Sequence, residues 1–298
     1  MQATRAVLVT GADGQLGTAL QRLTWPGGWE IVATNRAVLD LCDTRQITEI
    51  VASRDWAAII NCAAYTQVDK AEDDRATAWA VNALAPAAFA QACAATGAPL
   101  IQLSTDYVFS GDGEGPWAED APTAPLNAYG ASKRDAELAI QSSGARHAII
   151  RTSWLVSGHG KNFVTTMLRL GQTQESVSVV DDQHGTPTSA ADLAQALQTV
   201  TLRLANDPHA PTGIFHFSNA GAVSWAGFAE EIFRQSAARG GPSARVVPIG
   251  SSAFPALAHR PANSRLSHSA IGAAYAITPR DWQAALGDIL DEIIGKTP

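Results

Sequence analysis

Tyr129 and Lys133 stand four residues apart in the segment NAYGASKRDAE, Asn127 to Glu137. On a helix that spacing puts both side chains on one face. A free tyrosine keeps its proton up to a pKa of about 10, so it is a weak acid at neutral pH. An ammonium one turn away stabilises the phenolate left behind, and each unit of lowering corresponds to about 1.4 kcal/mol. The chemistry such a pair serves is protonation of an oxygen while hydride adds to the carbonyl carbon. The same spacing also arises by chance on a solvated helix surface, so the neighbouring groups decide between the two readings.

One such group is a hydroxyl. The run PLIQLST reads as a strand, which puts Ser104 and Thr105 at its C-terminal end. Ligands bind there in open α/β sheets, and a hydroxyl there can meet a carbonyl oxygen. The other is the turn TGADGQLG, with Gly11, Gly14 and Gly17 directly after the apolar run AVLVT and opening a helical pattern. Glycines let phosphate approach the backbone, and the helix N-terminus offers free N–H groups to a dinucleotide pyrophosphate. An acidic residue after the second strand would hold adenosine ribose hydroxyls. Here the chain has Asn35 and Arg36. Arg36 can meet a 2′-phosphate, which favours NADPH with NADH as the alternative; a solvated surface arginine is the competing reading. Asp40 and Leu41 can flank the adenine.

These residues need a scaffold, and the chain alternates in the manner of one. Strands are expected at 6–10, 30–34, 57–64, 99–105 and 147–156. Between them fall helical patterns: one at 47–54 with Asp43 and Thr44 as caps, one long helix from Ala71 to Thr96, and one opening at Tyr129. Such βαβ alternation predicts an α/β fold, a Rossmann-type doubly wound parallel sheet. Beyond Val156 the rhythm loosens into helices such as SWAGFAEEIFRQSAA and strand-like GIFHFS and RVVPI. The expected organisation is a dinucleotide-binding domain at 1–155 and a smaller α/β substrate domain at 156–298, with some segments returning to the first.

Bulk properties narrow the class. Of the 298 residues, 46% are hydrophobic and 16% charged, which excludes a disordered chain. The net charge of -7 argues against nucleic acid as the main partner. Cys42, Cys62 and Cys93 form no CxxC pair, so neither a disulfide framework nor a zinc site is expected. The first apolar run is too short for a signal segment or a membrane span, and a cytoplasmic protein is expected.

The glycine turn, STDYVF and YGASK together resemble the extended short-chain dehydrogenase/reductase superfamily. NCAAYTQVDKAE, RTSWLVSGHGKNFV, VVDDQHGTPTSAADLA and RPANSRLS resemble one family within it, the dTDP-4-dehydrorhamnose reductases, and these segments span nearly the whole chain. The resemblance implies reduction of the 4-keto group of dTDP-4-dehydro-L-rhamnose by NADPH or NADH, in carbohydrate and lipopolysaccharide biosynthesis. It implies Tyr129 as proton donor, Lys133 as the cation that tunes it and holds the nicotinamide ribose, and Thr105 as the partner of the keto oxygen. Gly14, Gln15 and Leu16 would follow the pyrophosphate. Asp40, Leu41, Ala63, Ala64 and Tyr65 would line the adenosine and nicotinamide side. Val68, Asp106 and Trp154 would contact the sugar nucleotide, although core packing is the commoner fate of a tryptophan. Asn162 and Arg260 are candidates for the nucleotide end, an arginine fork suiting a diphosphate. Asp181, Asp182 and His184 lack further ligands nearby in sequence and read as a structural loop.

Some positions depart from the family pattern. Asp13 stands where many relatives carry asparagine. Ala19 and Ala191 stand where some members use carboxylates to bridge a dimer through Mg²⁺. A magnesium-bridged dimer is therefore not expected, and a monomer or a metal-independent homodimer is. The rival readings are a related reductase or epimerase acting on another nucleotide sugar, and a non-catalytic dinucleotide-binding regulatory subunit.

Overall fold

Strands that are apolar on both faces can only sit between two layers of helices. In the computed structural model, which describes residues 4–295, six such strands line up in parallel. Residues 1–3 of the first expected domain and 296–298 of the second lie outside the described residues. In chain order the first part comprises β1 (Arg5–Thr10), α1 (Gln15–Arg22), β2 (Trp29–Thr34), α2 (Thr44–Ala52), β3 (Trp56–Asn61), α3 (Val68–Asp73), α4 (Arg75–Trp79), α5 (Ala85–Thr96), β4 (Leu100–Thr105), α6 (Ala128–Ser142) and β5 (His147–Thr152). There follow β6 (Leu155–Val156), α7 (Phe163–Gly171), β7 (Ser176–Val180), β8 (His184–Gly185), β9 (Thr188–Ser189) and α8 (Ala190–Asn206). The last elements are β10 (Gly213–His216), β11 (Val223–Ser224), α9 (Trp225–Ala237), β12 (Arg245–Ile249), α10 (Ser269–Tyr275) and α11 (Trp282–Ile294).

The main sheet has the order β10-β5-β4-β3-β1-β2. Alternate side chains of each strand enter opposite layers. Val7, Val9, Ile60 and Ile150 pack on α1 and α8, and Leu8, Ile59, Leu100 and Ile149 pack on α2, α5 and α6. The chain leaves β1 towards β2 on one side and joins β3 on the other, so a crevice opens at the C-terminal ends of β1 and β3. A separate core gathers Val164 and Leu168 of α7, Val177 and Val179 of β7, Phe228 and Ile232 of α9, and Leu286 and Leu290 of α11. There β7 pairs in parallel with β12. By contrast α8, β10 and α10 belong to the main sheet and its cover.

Two expected elements are divided. The single helix from Ala71 to Thr96 breaks at Asp74, which sits at φ −114°, ψ 50°, and contains a π turn at Ala80–Leu84. The π turn aims Asn82 inward. Its carboxamide accepts from the Tyr65 N–H at 2.8 Å and donates to the Tyr65 carbonyl at 3.0 Å and to Ser132 Oγ at 3.1 Å. The π turn therefore clamps the loop after β3 to α6, a common use of such bulges. Residues 75–96 are long and apolar enough to cross a membrane, but 56% of that window is buried inside the fold, as in a core helix. The expected strand 147–156 ends at Thr152, because Trp154 takes a left-handed φ of 47°. For a bulky residue that conformation costs about 1–3 kcal/mol. The chain then resumes as β6, paired with β9.

Candidate active site

The glycine turn links β1 to α1 above the crevice. A Cβ on Gly17 would lie 2.1 Å from the Gly11 carbonyl oxygen, so only glycine lets the helix start so close to the strand. Gly14 is the N-cap residue of α1 and offers no side chain in the way of the free N–H groups. Gly11, Gly14, Gln15, Leu16 and Gly17 line a cleft of about 660 Å³, together with Ala63, Ala64 and Val68.

The reacting groups enter the cleft from β4 and α6. Asn127 caps α6, its side chain accepting from the Gly130 N–H at 2.8 Å. This starts the helix at Ala128, so Tyr129 and Lys133 share a face, and both line the cleft with Thr105, Asp106 and Trp154. Lys133 Nζ donates to the Leu103 carbonyl at 2.6 Å. Thr105 Oγ1 donates to Asp106 Oδ1 at 3.0 Å and accepts from the Tyr107 N–H at 3.2 Å. The Tyr129 ring meets Tyr107 edge-on, centroids 5.8 Å apart.

The electrostatics differ from the expectation that Lys133 would lower the Tyr129 pKa. Burial pushes the Tyr129 phenol up to about 12, against the pull of a hydrogen bond with Thr105. Burial also lowers the Lys133 ammonium to about 8, against the charge of Glu137 one turn further along α6. The Asp106 carboxyl is raised by burial to about 7, against the Ser264 and Thr105 hydroxyls. Desolvation therefore outweighs pairing in the cleft, and the phenol is fully protonated at neutral pH, as a proton donor must be. Lys133 is cationic below about pH 8 and neutral above it. We expect kcat/KM to fall as pH rises through that value. A profile flat across that range would separate the lysine charge from the rate.

Behind the lysine lies a buried charge cluster that the sequence did not announce. Arg151 of β5 donates to both oxygens of Glu137, from Nε at 2.9 Å and Nη2 at 2.7 Å, and both side chains are 3% exposed. Ser104 Oγ donates to Glu137 Oε1 at 2.5 Å. His216 of β10 lies 3.3 Å from Arg151 and is pushed down to about 3, first by burial and then by the guanidinium.

A second, largely apolar cavity of about 820 Å³ adjoins the first, and Tyr107 and Trp225 line both. Phe163, Met167 and Val179 supply apolar wall, and Arg260 stands at its edge, its Nη2 donating to Asp69 Oδ2 at 2.6 Å. Asn162 lies outside both cavities. It caps α7 in a reciprocal capping box with Thr165, and its Nδ2 donates to Gln15 Oε1 at 3.0 Å and to the Ser157 and His159 carbonyls. These bonds give Asn162 a scaffold role at the start of α7. Leu41 is 6% exposed in the core beside Leu8 and Ile47. Asp40 accepts from the Cys42 N–H at 3.1 Å, and Asn35 from the Ala37 N–H at 3.1 Å. Arg36 is exposed after β2. Tyr65, whose backbone N–H and carbonyl bond to Asn82, donates its hydroxyl to Asp74. Asp181 accepts from Ser224 and Asp182 from Ser251, and among the described residues no group of three or more His, Cys, Asp or Glu is placed to hold a metal. Sequence reasoning missed Tyr107 and Trp225 on the cleft; the tyrosine inside the STDYVF motif and an aromatic residue at a helix start were the available signals.

Comparison with known proteins shows the family. The RmlD substrate binding domain family matches residues 5–294. A dTDP-4-dehydrorhamnose reductase of Streptomyces griseus is 43% identical over 291 residues, 97% of this chain and 94% of that one. The dTDP-4-dehydrorhamnose reductase of Escherichia coli strain K12 is 37% identical over 297 residues, 98% and 99% of the two chains. The crystal structure of dTDP-4-dehydrorhamnose reductase from Bacillus anthracis in complex with NADP superimposes with a TM-score of 0.90 at 36% identity, covering 97% and 99%. By a match that runs through the sheet, the cleft and the second core alike, this chain belongs to the RmlD substrate binding domain family.

Proposed function

We propose that the chain reduces the 4-keto group of dTDP-4-dehydro-L-rhamnose to dTDP-L-rhamnose, with Tyr129 as proton donor. What carries the reading is the meeting of Thr105, Tyr129 and Lys133 in the cleft that the glycine turn opens. The close Gly11–Gly17 approach leaves the α1 N-terminus clear, which fits a dinucleotide pyrophosphate beside Gly14, Gln15 and Leu16. The nicotinamide of NADPH supplies the hydride when bound. Ala63, Ala64 and Tyr65 would line its path, with Asn35, Arg36 and Asp40 at the adenosine end. Thr105 orients the keto oxygen, and Tyr129 donates its hydroxyl proton to that oxygen. Lys133 steadies the phenolate that remains and holds the nicotinamide ribose. Val68, Asp106 and Trp154 border the deoxysugar. Arg260 keeps N–H donors beyond its Asp69 pair and would offer them to the diphosphate.

The direct test is NADPH oxidation by the purified chain with dTDP-4-dehydro-L-rhamnose; an inert enzyme would refute the reading. Arg36→Ala should raise the KM for NADPH about tenfold, the worth of one charge-assisted phosphate contact, and leave that for NADH unchanged. Equal effects on both cofactors would remove Arg36 from the 2′-phosphate. The reading has the enzyme act in the cytoplasm, as a monomer or a metal-independent homodimer, with neither nucleic acid nor membrane as partner. Activity should survive EDTA in full and gain nothing from Mg²⁺; a loss that Mg²⁺ restores would contradict it.

A further inference from the structure

Trp154 is one of two non-glycine residues among those described with a left-handed backbone, and its indole borders the cleft. Such a conformation persists only where the surroundings over-determine it. Two contacts do so here. The Trp225 indole stacks on Trp154 with ring centroids 3.6 Å apart and planes 12° from parallel. On the strand β8, Gly185 abuts the same indole so closely that a Cβ would lie 2.6 Å from its Cε2. Trp225 is itself planted. It is the first residue of α9, its neighbour Ser224 caps that helix and donates to Asp181, and β11 pairs with β8, joining Ser224 to His184 and Val223 to Gly185. Phe163 also packs against Trp225, with ring centroids 4.6 Å apart. The stacked pair thus stands where the two cavities meet, since Trp225 lines both.

We infer that Trp225, with Gly185, is a positioning residue that holds the Trp154 indole as an apolar wall selecting 6-deoxy sugars over sugars carrying a C6 hydroxyl. The inference rests on the reading of the substrate as a dTDP-linked 4-keto-6-deoxyhexose. With the C4 carbonyl at Thr105 and Tyr129, C6 lies only two bonds from C4 and so falls in the cleft whose wall Trp154 forms. Two stacked indoles offer a methyl group favourable contact there and offer few hydrogen-bond partners to a hydroxyl. A buried hydroxyl without a partner is disfavoured by about tenfold to a hundredfold. Trp154 touches the ligand in this account; Trp225 and Gly185 act through it.

The test compares the wild-type chain with Trp225→Phe, Trp225→Ala and Gly185→Ala. Calorimetry measures binding of dTDP-L-rhamnose and of dTDP-L-mannose, which differs by the C6 hydroxyl. Kinetics measure the KM values for dTDP-4-dehydro-L-rhamnose and NADPH. Far-ultraviolet circular dichroism reports the exciton couplet of the stacked indoles. The wild type should prefer the 6-deoxy ligand by about tenfold or more. Trp225→Ala and Gly185→Ala should both lose most of that preference, lose or shift the couplet, and raise the keto-sugar KM with little change for NADPH. Trp225→Phe should retain most of the preference, because a smaller ring still backs Trp154. Gly185→Ala leaves Trp225 in place and carries the test if Trp225→Ala does not fold. An unchanged preference in Gly185→Ala with an altered couplet, or equal rises in both KM values, would overturn the inference alone. A wild-type chain inert towards the keto sugar would overturn the substrate reading beneath it, and this inference with it.

Discussion

Tyr129→Phe should bind NADPH normally and lose about 10²–10⁴-fold in kcat, the usual contribution of a positioned general acid. The substitution removes one oxygen and keeps the ring, so the edge-on contact with Tyr107 survives and α6 has no reason to shift. The large effect follows from where the phenol sits. With its pKa raised to about 12, it is protonated across the whole working range. The same burial makes it a reluctant acid until charge develops on the keto oxygen beside it. In the proposed mechanism Thr105 and Lys133 ease that moment, so most of the benefit falls in the transition state and should appear in kcat rather than KM. Fluorescence titration with NADPH, alongside steady-state rates, separates the two. A kcat near the wild-type value would exclude Tyr129 as donor.

The second large effect concerns the pair behind the lysine. Arg151→Met strands the Glu137 carboxylate in the interior, and removing one partner of a buried ion pair costs about 3–5 kcal/mol. For a chain of this size that corresponds to a fall of roughly 10 °C in the melting midpoint. Glu137→Gln combined with Arg151→Met removes the stranded charge and should recover more than half of the loss. Denaturant midpoints of the three proteins check this, and a double variant no more stable than Arg151→Met would refute it. Glu137→Gln has a kinetic signature as well. Glu137 supports the positive charge on Lys133, so its neutralisation lowers the lysine pKa further. The basic limb of kcat/KM should then move to lower pH.

What could be read from the sequence was what is local along the chain. The glycine turn, the Asn127 cap and the Tyr129–Lys133 spacing each lie within a few residues, and a single turn of helix determines their geometry. Strand ends gave Thr105 for the same reason, although β5 was overrun because nothing in RTSWLV signals a left-handed tryptophan. The stack that accompanies it lies 71 residues away in Trp225, beyond any periodic pattern. Nothing in the sequence singles out Glu137 and Arg151, since only tertiary packing closes the salt bridge. The capping role of Asn162 was not legible, because a polar residue opening a helix and one facing a ligand look alike in sequence. The π turn escaped notice because its alanine-rich surroundings suit an uninterrupted helix equally well.

The sixth strand bears on how the chain can be built. During synthesis β5 emerges long before β10, the neighbour that flanks it in the finished sheet. Until Gly213–His216 arrive, one edge of β5 bears unpaired N–H and C=O groups. Leu193, Leu197, Val200 and Leu204 have also yet to cover Val9, Ile60 and Ile150. A nascent chain at that stage has both a bare edge and a bare apolar face, the combination that invites misassociation and chaperone capture. The half that cradles the nucleotide is therefore completed by residues from the half translated later. Recombination at a seam near Val156 would yield one fragment lacking a strand and another with no sheet to join. Exchange of loops would leave that shared frame intact, whereas exchange of the two halves would break it.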